Sequence, residues 1–345
     1  MTPERRNALE ATARALVAEG KGILAADESN NTMTKRIEAV GAESTPETRR
    51  RFRELLVTTP GAEEHISGVI MYDETIRQAA SNGTPFPALL ASRGMNSGIK
   101  VDTGAKPLAE ADGETITEGL DGLRERLVEY HELGASFAKW RAVIALGDEL
   151  PSRYCIATNA HALGRYAALC QEAGIVPIVE PEVLMDGGHP IDRSEAVTGA
   201  VLQAVFAELL DQRVLLEGIV LKPNMVLAGY DCEQQATVEE VAERTLTLLG
   251  RVVPAAVPGV AFLSGGQNDE LASAHLNAMN ALGDVPWELS FSYGRALQAT
   301  PLTIWAGEES NARAAQAAFA HRARCNGEAR YGRYSAELEH QVAAE

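Results

Sequence analysis

The 345-residue sequence contains little cysteine and no paired arrangement of it. Its four cysteines, at positions 155, 170, 232 and 325, form no CxxC motif and no compact disulfide framework, so we expect reduced, mostly buried thiols. Its seven histidines do not fall at HxH or HExxH spacing, which leaves a zinc site without support. We therefore expect chemistry that needs no metal and no cofactor.

Long apolar runs and an excess of basic residues are also missing. No run approaches the roughly 18 residues that a bilayer span needs, and the chain begins with an amphipathic helical pattern rather than an apolar secretory segment. The 31 basic residues are outnumbered by 48 acidic ones, and a net charge of −17 repels nucleic acid and anionic membranes. We expect a soluble, cytoplasmic protein with no nucleic-acid or membrane partner.

Lysine is scarce: the 31 basic residues comprise six lysines and 25 arginines. A guanidinium stays charged, whereas an amine can lose its proton and attack a carbonyl. Because the chain uses arginine wherever charge alone is wanted, the few lysines become candidates for chemistry. They are Lys21, Lys35, Lys100, Lys106, Lys139 and Lys222.

Short, β-rich apolar runs recur eight times, at residues 23–27, 68–74, 98–102, 137–144, 175–183, 218–226, 259–266 and 288–294. Helical patterns, with apolar residues three and four apart, lie between them. The mean repeat of about 38 residues suits a strand followed by a helix. No glycine-rich dinucleotide fingerprint follows the first run, which argues against a doubly wound sheet.

These features predict an α/β fold, a single (β/α)8 TIM barrel. A hydrophobic content of 46% is enough for one large core, and no linker or shift in composition divides the chain. We place the catalytic barrel at residues 18–320, an N-terminal helix at 1–17 and a short, mobile C-terminal tail at 321–345.

The C-terminal ends of the strands in such a barrel meet at one mouth, where active sites are built. The predicted strand ends carry these polar side chains: Asp27, Glu74, Lys100, Lys139, Arg141, Glu180, Glu182, Lys222, Ser264, Ser292 and Arg295. Three of the six lysines belong to this set. We interpret this as a functional concentration, in preference to solvated charges or structural ion pairs.

Lys139 and Lys222 both stand among apolar strand residues. Burial and a neighbouring cation disfavour an ammonium ion, so we expect a lowered pKa and an amine able to form a Schiff base with a ketone. The resulting iminium is an electron sink that breaks or makes a carbon–carbon bond without a metal. Asp27 and Glu180 are the predicted proton carriers, although ion pairing with the same lysines would also account for them.

Two groups of anion-binding residues flank the predicted mouth. The first lies after the last two strands, where glycines let backbone N–H groups approach a phosphate, in Ser264-Gly265-Gly266 and Ser292-Tyr293-Gly294-Arg295. The second lies after the first and third strands and comprises Ser29, Thr32, Lys35, Arg36 and Lys100. Two such groups around a Schiff-base lysine indicate a small bisphosphorylated ketone as substrate.

The sequence resembles the class I fructose-bisphosphate aldolases, which are metal-independent Schiff-base enzymes. The similarity covers nearly the whole chain, in blocks at residues 20–29, 98–102, 137–141, 179–182, 221–225, 263–267 and 291–297. It implies reversible cleavage of fructose 1,6-bisphosphate to dihydroxyacetone phosphate and glyceraldehyde 3-phosphate, in glycolysis or gluconeogenesis. It also implies a homo-oligomer, since the family is usually tetrameric.

The resemblance implies a role for each site residue. Lys222 would form the Schiff base with the C2 carbonyl, and Glu180, with Glu182 nearby, would move protons as the Schiff base forms and hydrolyses. Asp27 would take the C4 hydroxyl proton, supported by Lys139. The implied substrate-binding residues are Arg141 and Ser292, with Ser264, Gly265, Gly294 and Arg295 for the C1 phosphate and Ser29, Thr32, Arg36 and Lys100 for the C6 phosphate.

Two stretches depart from the family pattern. The turn Ser29-Asn30-Asn31-Thr32 replaces a common serine, threonine, glycine, serine stretch, and the β-branch of Thr32 should change C6-phosphate affinity modestly. The well-known animal and plant members use a terminal tyrosine for proton transfer at C1, whereas this sequence ends in Ala344-Glu345. We therefore expect removal of residues 335–345 to change turnover by less than tenfold.

Two alternative functions are an aldolase with a different substrate and a barrel without catalytic activity. Sedoheptulose 1,7-bisphosphate, fructose 1-phosphate or a transaldolase-like exchange would keep the lysine mechanism, but the two anion-binding groups favour a bisphosphate. A non-catalytic barrel that serves as a scaffold would have lost strand-end residues, and none is lost in this sequence.

Overall fold

The computed structural model describes residues 1–340, and its regular elements alternate as the sequence pattern predicts. The strands are β1 (Gly22–Ala26), β2 (Ile66–Met71), β3 (Asn96–Lys100), β4 (Gly104–Pro107), β5 (Thr115–Glu118), β6 (Phe137–Ile144), β7 (Val176–Val183), β8 (Val220–Leu221), β9 (Gly259–Phe262) and β10 (Glu288–Tyr293). The α-helices are α1 (Pro3–Leu16), α2 (Asn30–Ala39), α3 (Pro46–Val57), α4 (Asp73–Ile76), α5 (Phe86–Ser92), α6 (Leu123–Glu132), α7 (Arg153–Glu172), α8 (Ile191–Asp211), α9 (Val238–Val252), α10 (Asp269–Leu282), α11 (Arg295–Trp305), α12 (Ala312–Ala329) and α13 (Ala336–Glu339).

Eight parallel strands close into a barrel in the order β1-β10-β9-β8-β7-β6-β3-β2. Each of the eight predicted runs overlaps one of these strands. Closure occurs where β1 pairs with β10 on one side, Ile23 opposite Ser292, and with β2 on the other, Ala26 opposite Met71. The predicted (β/α)8 barrel is therefore confirmed.

Side chains fill the barrel at its N-terminal end, and helix α1 covers that end. One buried cluster joins Leu9, Ala13 and Leu16 of α1 to inward-facing strand residues such as Ile23 and Phe137. The helix begins where Thr2 accepts a hydrogen bond from the backbone N–H of Arg5, with Pro3 in the first turn. Since this end is packed with apolar side chains, the polar strand ends open at the opposite mouth.

An antiparallel hairpin of β4 and β5, which the sequence pattern did not indicate, is inserted after β3. Gly104 pairs with Glu118 and Pro107 with Thr115. The Thr115 and Thr117 hydroxyls donate to the backbone carbonyls of Val143 and Arg141 on β6. These bonds fix the hairpin against the rim of the mouth.

The C-terminal segment differs from the predicted mobile tail at 321–345. The boundary at residue 320 falls inside α12, and buried residues continue to Arg330. Arg330 donates to the carbonyls of Val17, Ala18 and Lys21 and forms a 2.6 Å ion pair with Glu288. The Arg- and Ala-rich composition resembles a solvated helix, but here arginine satisfies buried carbonyls. Residues 341–345 of the predicted tail lie outside the described part of the chain.

Within residues 1–340, no helix is both long enough and apolar enough to cross a bilayer.

Candidate active site

The C-terminal ends of the barrel strands surround a cavity of about 600 Å³. The catalytic and substrate-binding residues that the family resemblance implies all line it: Asp27, Ser29, Thr32, Arg36, Lys100, Lys139, Arg141, Glu180, Glu182, Lys222, Ser264, Gly265, Ser292, Gly294 and Arg295. Glu74 and Lys35 do not line the cavity. Glu74 instead accepts two hydrogen bonds from Arg49 and one from Asn30.

Strand geometry explains why these side chains converge. Successive side chains of a strand point to opposite faces, so Lys139 and Arg141 on β6 share the inward face, as do Glu180 and Glu182 on β7. The register sets Arg141 opposite Glu180. Lys222 follows the two-residue strand β8 and stays buried, which brings its amine beside β7.

Four groups of alternating charge cross the floor of the cavity: Lys222, Glu180 and Lys139, which are buried, and Asp27, which is partly exposed. Lys222 Nζ lies 3.0 Å from Glu180 Oε1, and Glu180 Oε2 lies 3.5 Å from Lys139 Nζ. Lys139 Nζ in turn lies 2.6 Å from Asp27 Oδ2. Each lysine is 4% exposed, so these ion pairs are only weakly screened by water.

The two lysines differ in the number of carboxylates around them. Among the ion pairs of residues 1–340, Lys222 contacts Glu180, whereas Lys139 contacts Asp27, Glu180 and, at 3.8 Å, Asp102. Burial lowers the pKa of Lys139, but its three carboxylate neighbours outweigh burial and raise that pKa. The expectation of a lowered pKa is therefore wrong for Lys139. A permanently charged ammonium suits Lys139 to electrostatic support rather than to nucleophilic attack.

Asp27 is held ionised by the same contacts. Burial raises the pKa of its carboxyl group, but the positive charges of Lys139 and Lys222 have the larger effect and lower the pKa to about 2. At neutral pH Asp27 is therefore a carboxylate with an acceptor oxygen available to a bound ligand.

Asp102 and Glu28 line the cavity but were not assigned to the site from the sequence. Asp102 Oδ1 lies 2.6 Å from Lys100 Nζ, and Asp102 Oδ2 accepts a hydrogen bond from the Arg141 backbone. Glu28 pairs with Arg36 at 2.5 Å. Both could have been found, because Asp102 stands two residues after Lys100 and Glu28 directly follows Asp27, so each belongs to a strand end.

The first predicted anion-binding group surrounds the start of α11. Gly294 is the N-cap of this helix, whose first backbone N–H groups are free to bind an anion. Gly265 has a φ of +60°, and a Cβ there would lie 2.5 Å from Met185. The buried Ser292 hydroxyl has no hydrogen-bond partner within residues 1–340, so it can donate to a ligand.

Tyr230 is a further residue beside this group that sequence reasoning missed. Its hydroxyl donates to the Gly265 carbonyl at 3.1 Å and lies 3.4 Å from Met185 Sδ. Burial raises the pKa of Tyr230 to about 12, so it remains a neutral donor. It follows β8 in sequence by several residues, and no local pattern marks it.

The second predicted group lies at the start of α2. The Ser29 hydroxyl caps this helix by accepting from the Thr32 N–H, and the Ser29 and Thr32 hydroxyls lie 3.1 Å apart. The two cations of the group, Arg36 and Lys100, are each paired with a carboxylate, from Glu28 and Asp102. An anion bound here would therefore meet a weaker positive field than one beside Arg295.

The fold and the site together define a class of protein. It is a parallel βα barrel. At its mouth, one carboxylate contacts two buried lysines, and an anion-binding group lies on either side. This arrangement is suited to Schiff-base chemistry on a phosphorylated carbonyl compound.

Comparisons with known proteins identify the family. The family model described as fructose-bisphosphate aldolase class-I matches residues 8–345. The chain is 56% identical, over 94% of its length and 98% of the relative, to "Probable fructose-bisphosphate aldolase class 1" of Xanthomonas campestris. It is 51% identical to fructose-bisphosphate aldolase B of Gallus gallus, over 97% of this chain and 92% of that protein.

A solved structure gives the same result. Fructose-bisphosphate aldolase from Plasmodium falciparum, in a complex with TRAP and a small-molecule inhibitor, superposes with a TM-score of 0.96 at 46% identity, over 97% of both chains. The chain belongs to the class I fructose-bisphosphate aldolase family, and it is a carbon–carbon lyase. The family resemblance found in the sequence is thus confirmed.

Proposed function

We propose that the protein catalyses the reversible cleavage of fructose 1,6-bisphosphate into dihydroxyacetone phosphate and glyceraldehyde 3-phosphate, through a Schiff base on Lys222. The observation that carries the proposal is the 3.0 Å contact between Lys222 Nζ and Glu180 Oε1, inside a cavity with an anion-binding group on each side. Family membership supports the same glycolytic reaction.

Schiff-base formation needs a free amine and a proton donor. Glu180 is placed to take a proton from the Lys222 ammonium, after which the amine adds to the C2 carbonyl. Glu180 then returns a proton to the departing hydroxyl, which leaves as water and yields the iminium. Glu180 Oε1, 3.0 Å from Lys222 Nζ, is the oxygen placed for this transfer, while Oε2 faces Lys139 at 3.5 Å.

Cleavage of the C3–C4 bond follows from the iminium. Asp27 takes the C4 hydroxyl proton, the C4 oxygen becomes the aldehyde carbonyl, and the electrons of the C3–C4 bond move into the iminium to form an enamine. Lys139, 2.6 Å from Asp27, offsets the negative charge during the transfer. Arg141 and Glu182, paired with each other at the mouth, orient the sugar hydroxyls.

The two phosphates determine the position of the sugar across the mouth. We assign the C1 phosphate to the group at the start of α11 and the C6 phosphate to the group at the start of α2. The first comprises Ser264, Gly265, Ser292, Gly294 and Arg295, and the second comprises Ser29, Thr32, Arg36 and Lys100. Binding at both ends holds C2 beside Lys222 and so lowers the entropy cost of the attack.

We also propose a cytoplasmic homo-oligomer, with the tetramer as the expected state. Helices α7 and α8 border a groove that supports packing of a second copy, with alanines in its lining and charged residues of both signs beside them: Ala157, Ala160, Ala196, Ala200, Ala204 and Ala207, with Arg153, Arg193, Glu208 and Asp211. The cytoplasmic location follows from the substrate, because a doubly phosphorylated sugar does not cross membranes unaided. Light scattering coupled to size-exclusion chromatography tests the oligomeric state.

Borohydride trapping tests the mechanism. The enzyme is reduced with dihydroxyacetone phosphate present and a chelator added, and intact and peptide masses are measured. We expect one reduced adduct, on the peptide that carries Lys222. Absence of an adduct, or an adduct on Lys139, would contradict the proposed roles of the two lysines.

A further inference from the structure

A second group of chemically reactive side chains lies outside the active-site cavity, where α12 meets α13. His321 and Cys325 stand one helical turn apart on α12, and Glu339 ends α13 and reaches back to them. None of the three lines the active-site cavity. Within residues 1–340, this is the set of three His, Cys, Asp or Glu side chains whose ligand atoms lie close enough to hold a metal ion.

Two of the three distances between donor atoms match those around a tetrahedral ion. His321 Nε2 lies 3.6 Å from Cys325 Sγ and 3.6 Å from Glu339 Oε2, and all three atoms lie within 4.8 Å of one another. Zinc bonds of about 2.3 Å to sulfur and about 2.0–2.1 Å to nitrogen or oxygen put neighbouring ligands of a tetrahedron about 3.5 Å apart. The side chains therefore need little movement to share one ion.

We propose that His321, Cys325 and Glu339 bind a zinc ion, with water as the fourth ligand. The imidazole, thiolate and carboxylate are the ligand types that zinc takes in proteins. Cys325 is buried, while the His321 and Glu339 side chains remain 22% and 12% exposed, which leaves a route for the ion. The histidine spacings searched in the sequence do not include this pattern of histidine, three residues and cysteine.

The positively charged Arg322 lies close to the proposed zinc site. It contacts both oxygens of Glu339, at 2.8 and 2.6 Å, and lies 4.0 Å from Asp269. The Cys325 thiolate and the carboxylates of Glu339 and Asp269 offset most of the positive charge of Zn²⁺, Arg322 and the nearby Arg324. Each carboxylate oxygen has a second lone pair, so Glu339 can bind the ion while Arg322 holds it in position.

Proton release accompanies binding. A cysteine without a metal carries a thiol proton at neutral pH, because the ordinary pKa of a thiol is about 8.5. A bound zinc ion displaces that proton because the thiolate is the ligand. The ion would tie the last described helix to α12, as a structural site separate from the lysine chemistry.

Metal titration of the full-length enzyme tests the site. After removal of metals with a chelator, Zn²⁺ is titrated in competition with a chromophoric chelator, and Co²⁺ is added separately to record its spectrum. We expect one zinc per chain, one proton released per zinc, and a sulfur-to-cobalt charge-transfer band. Absence of binding to the wild-type protein, or cobalt binding without that band, would show that the three side chains form an ion-pair group only.

Variants assign the ligands. We expect zinc to raise the melting temperature of the wild type. Cys325→Ser and His321→Gln should each weaken zinc binding at least 100-fold and lose this rise. The control is Cys232→Ser, a partly exposed cysteine outside the group, which should bind zinc as the wild type does. Unchanged binding in folded Cys325→Ser would overturn the assignment. Aldol cleavage should persist after metal removal, so this test stands apart from that of the proposed reaction.

Discussion

The carboxylate of Glu180 lies 3.0 Å from the Lys222 amine and is buried with it at the floor of the mouth. A buried carboxylate so close to an amine both holds the ammonium and can remove its proton.

Replacement of Glu180 by glutamine should lower kcat by about 10²- to 10⁴-fold, since general acid–base catalysis contributes that much. The loss should appear as slow borohydride trapping, because Schiff-base formation itself is affected. Glu74→Gln is the matched control: Glu74, predicted at a strand end, lies in α4 just after β2 and binds Arg49 away from the cavity. Its folded fraction should retain kcat within threefold, and equal losses in the two variants would contradict the assignment.

Lys139→Met should retain trapping on Lys222 but lose at least 100-fold in kcat, whereas Lys222→Met should lose trapping itself. In Lys139→Met, the acid limb of the pH profile of kcat/KM should also shift. Lys139 helps hold the pKa of Asp27 near 2, so its removal raises that pKa and shifts the acid limb of kcat/KM to higher pH. An acid limb at the wild-type position would show that Asp27 is not the titrating base.

Asp27 should also make stability depend on pH. Its folded pKa of about 2 lies below the ordinary value of 3.8, so the stabilisation is present above about pH 4 and is lost as pH falls toward 2. Urea unfolding of wild type and Asp27→Asn between pH 2 and 6 measures this. The difference in unfolding free energy should grow from pH 2 to about pH 4 and level off above it, and a constant difference would refute the linkage.

Tyr230→Phe should raise KM for fructose 1,6-bisphosphate about fivefold with kcat within twofold. The variant loses a hydrogen bond to the Gly265 carbonyl, worth about 1 kcal/mol, and loosens the loop assigned to the C1 phosphate. Tyr331→Phe is the control, because Tyr331 is about as exposed as Tyr230 but stacks with Arg333 instead of bonding to Gly265. A change confined to kcat, or shared by the control, would argue against a positioning role.

Lys100→Met should separate a bisphosphate from a monophosphate substrate. If Lys100 binds the C6 phosphate, kcat/KM for fructose 1,6-bisphosphate should fall at least 20-fold more than kcat/KM for fructose 1-phosphate, which lacks that group. Lys106→Met, on the exposed hairpin strand β4, is the charge-matched control. Equal losses on both substrates would place the role of Lys100 elsewhere, for example in holding Asp102.

The sequence by itself determined the barrel and most of the residues of the site. Eight apolar runs at a regular repeat predict eight parallel strands, and the ends of parallel strands meet at one mouth whatever the loops do. Lys222, Glu180 and Asp27 could therefore be assigned to one cavity from position alone. Residue type and the inward or outward alternation along a strand are local properties, so both can be determined without knowledge of the fold.

Only the tertiary structure decided the electrostatics and the long-range packing. The pKa of Lys139 rises because Asp27, Asp102 and Glu180 reach it from three other strand ends, and their distances are set by barrel closure. Tyr230 likewise meets Gly265 across 35 residues of sequence. The net field at a buried point sums over groups that are distant in sequence, so local pattern alone cannot give its sign.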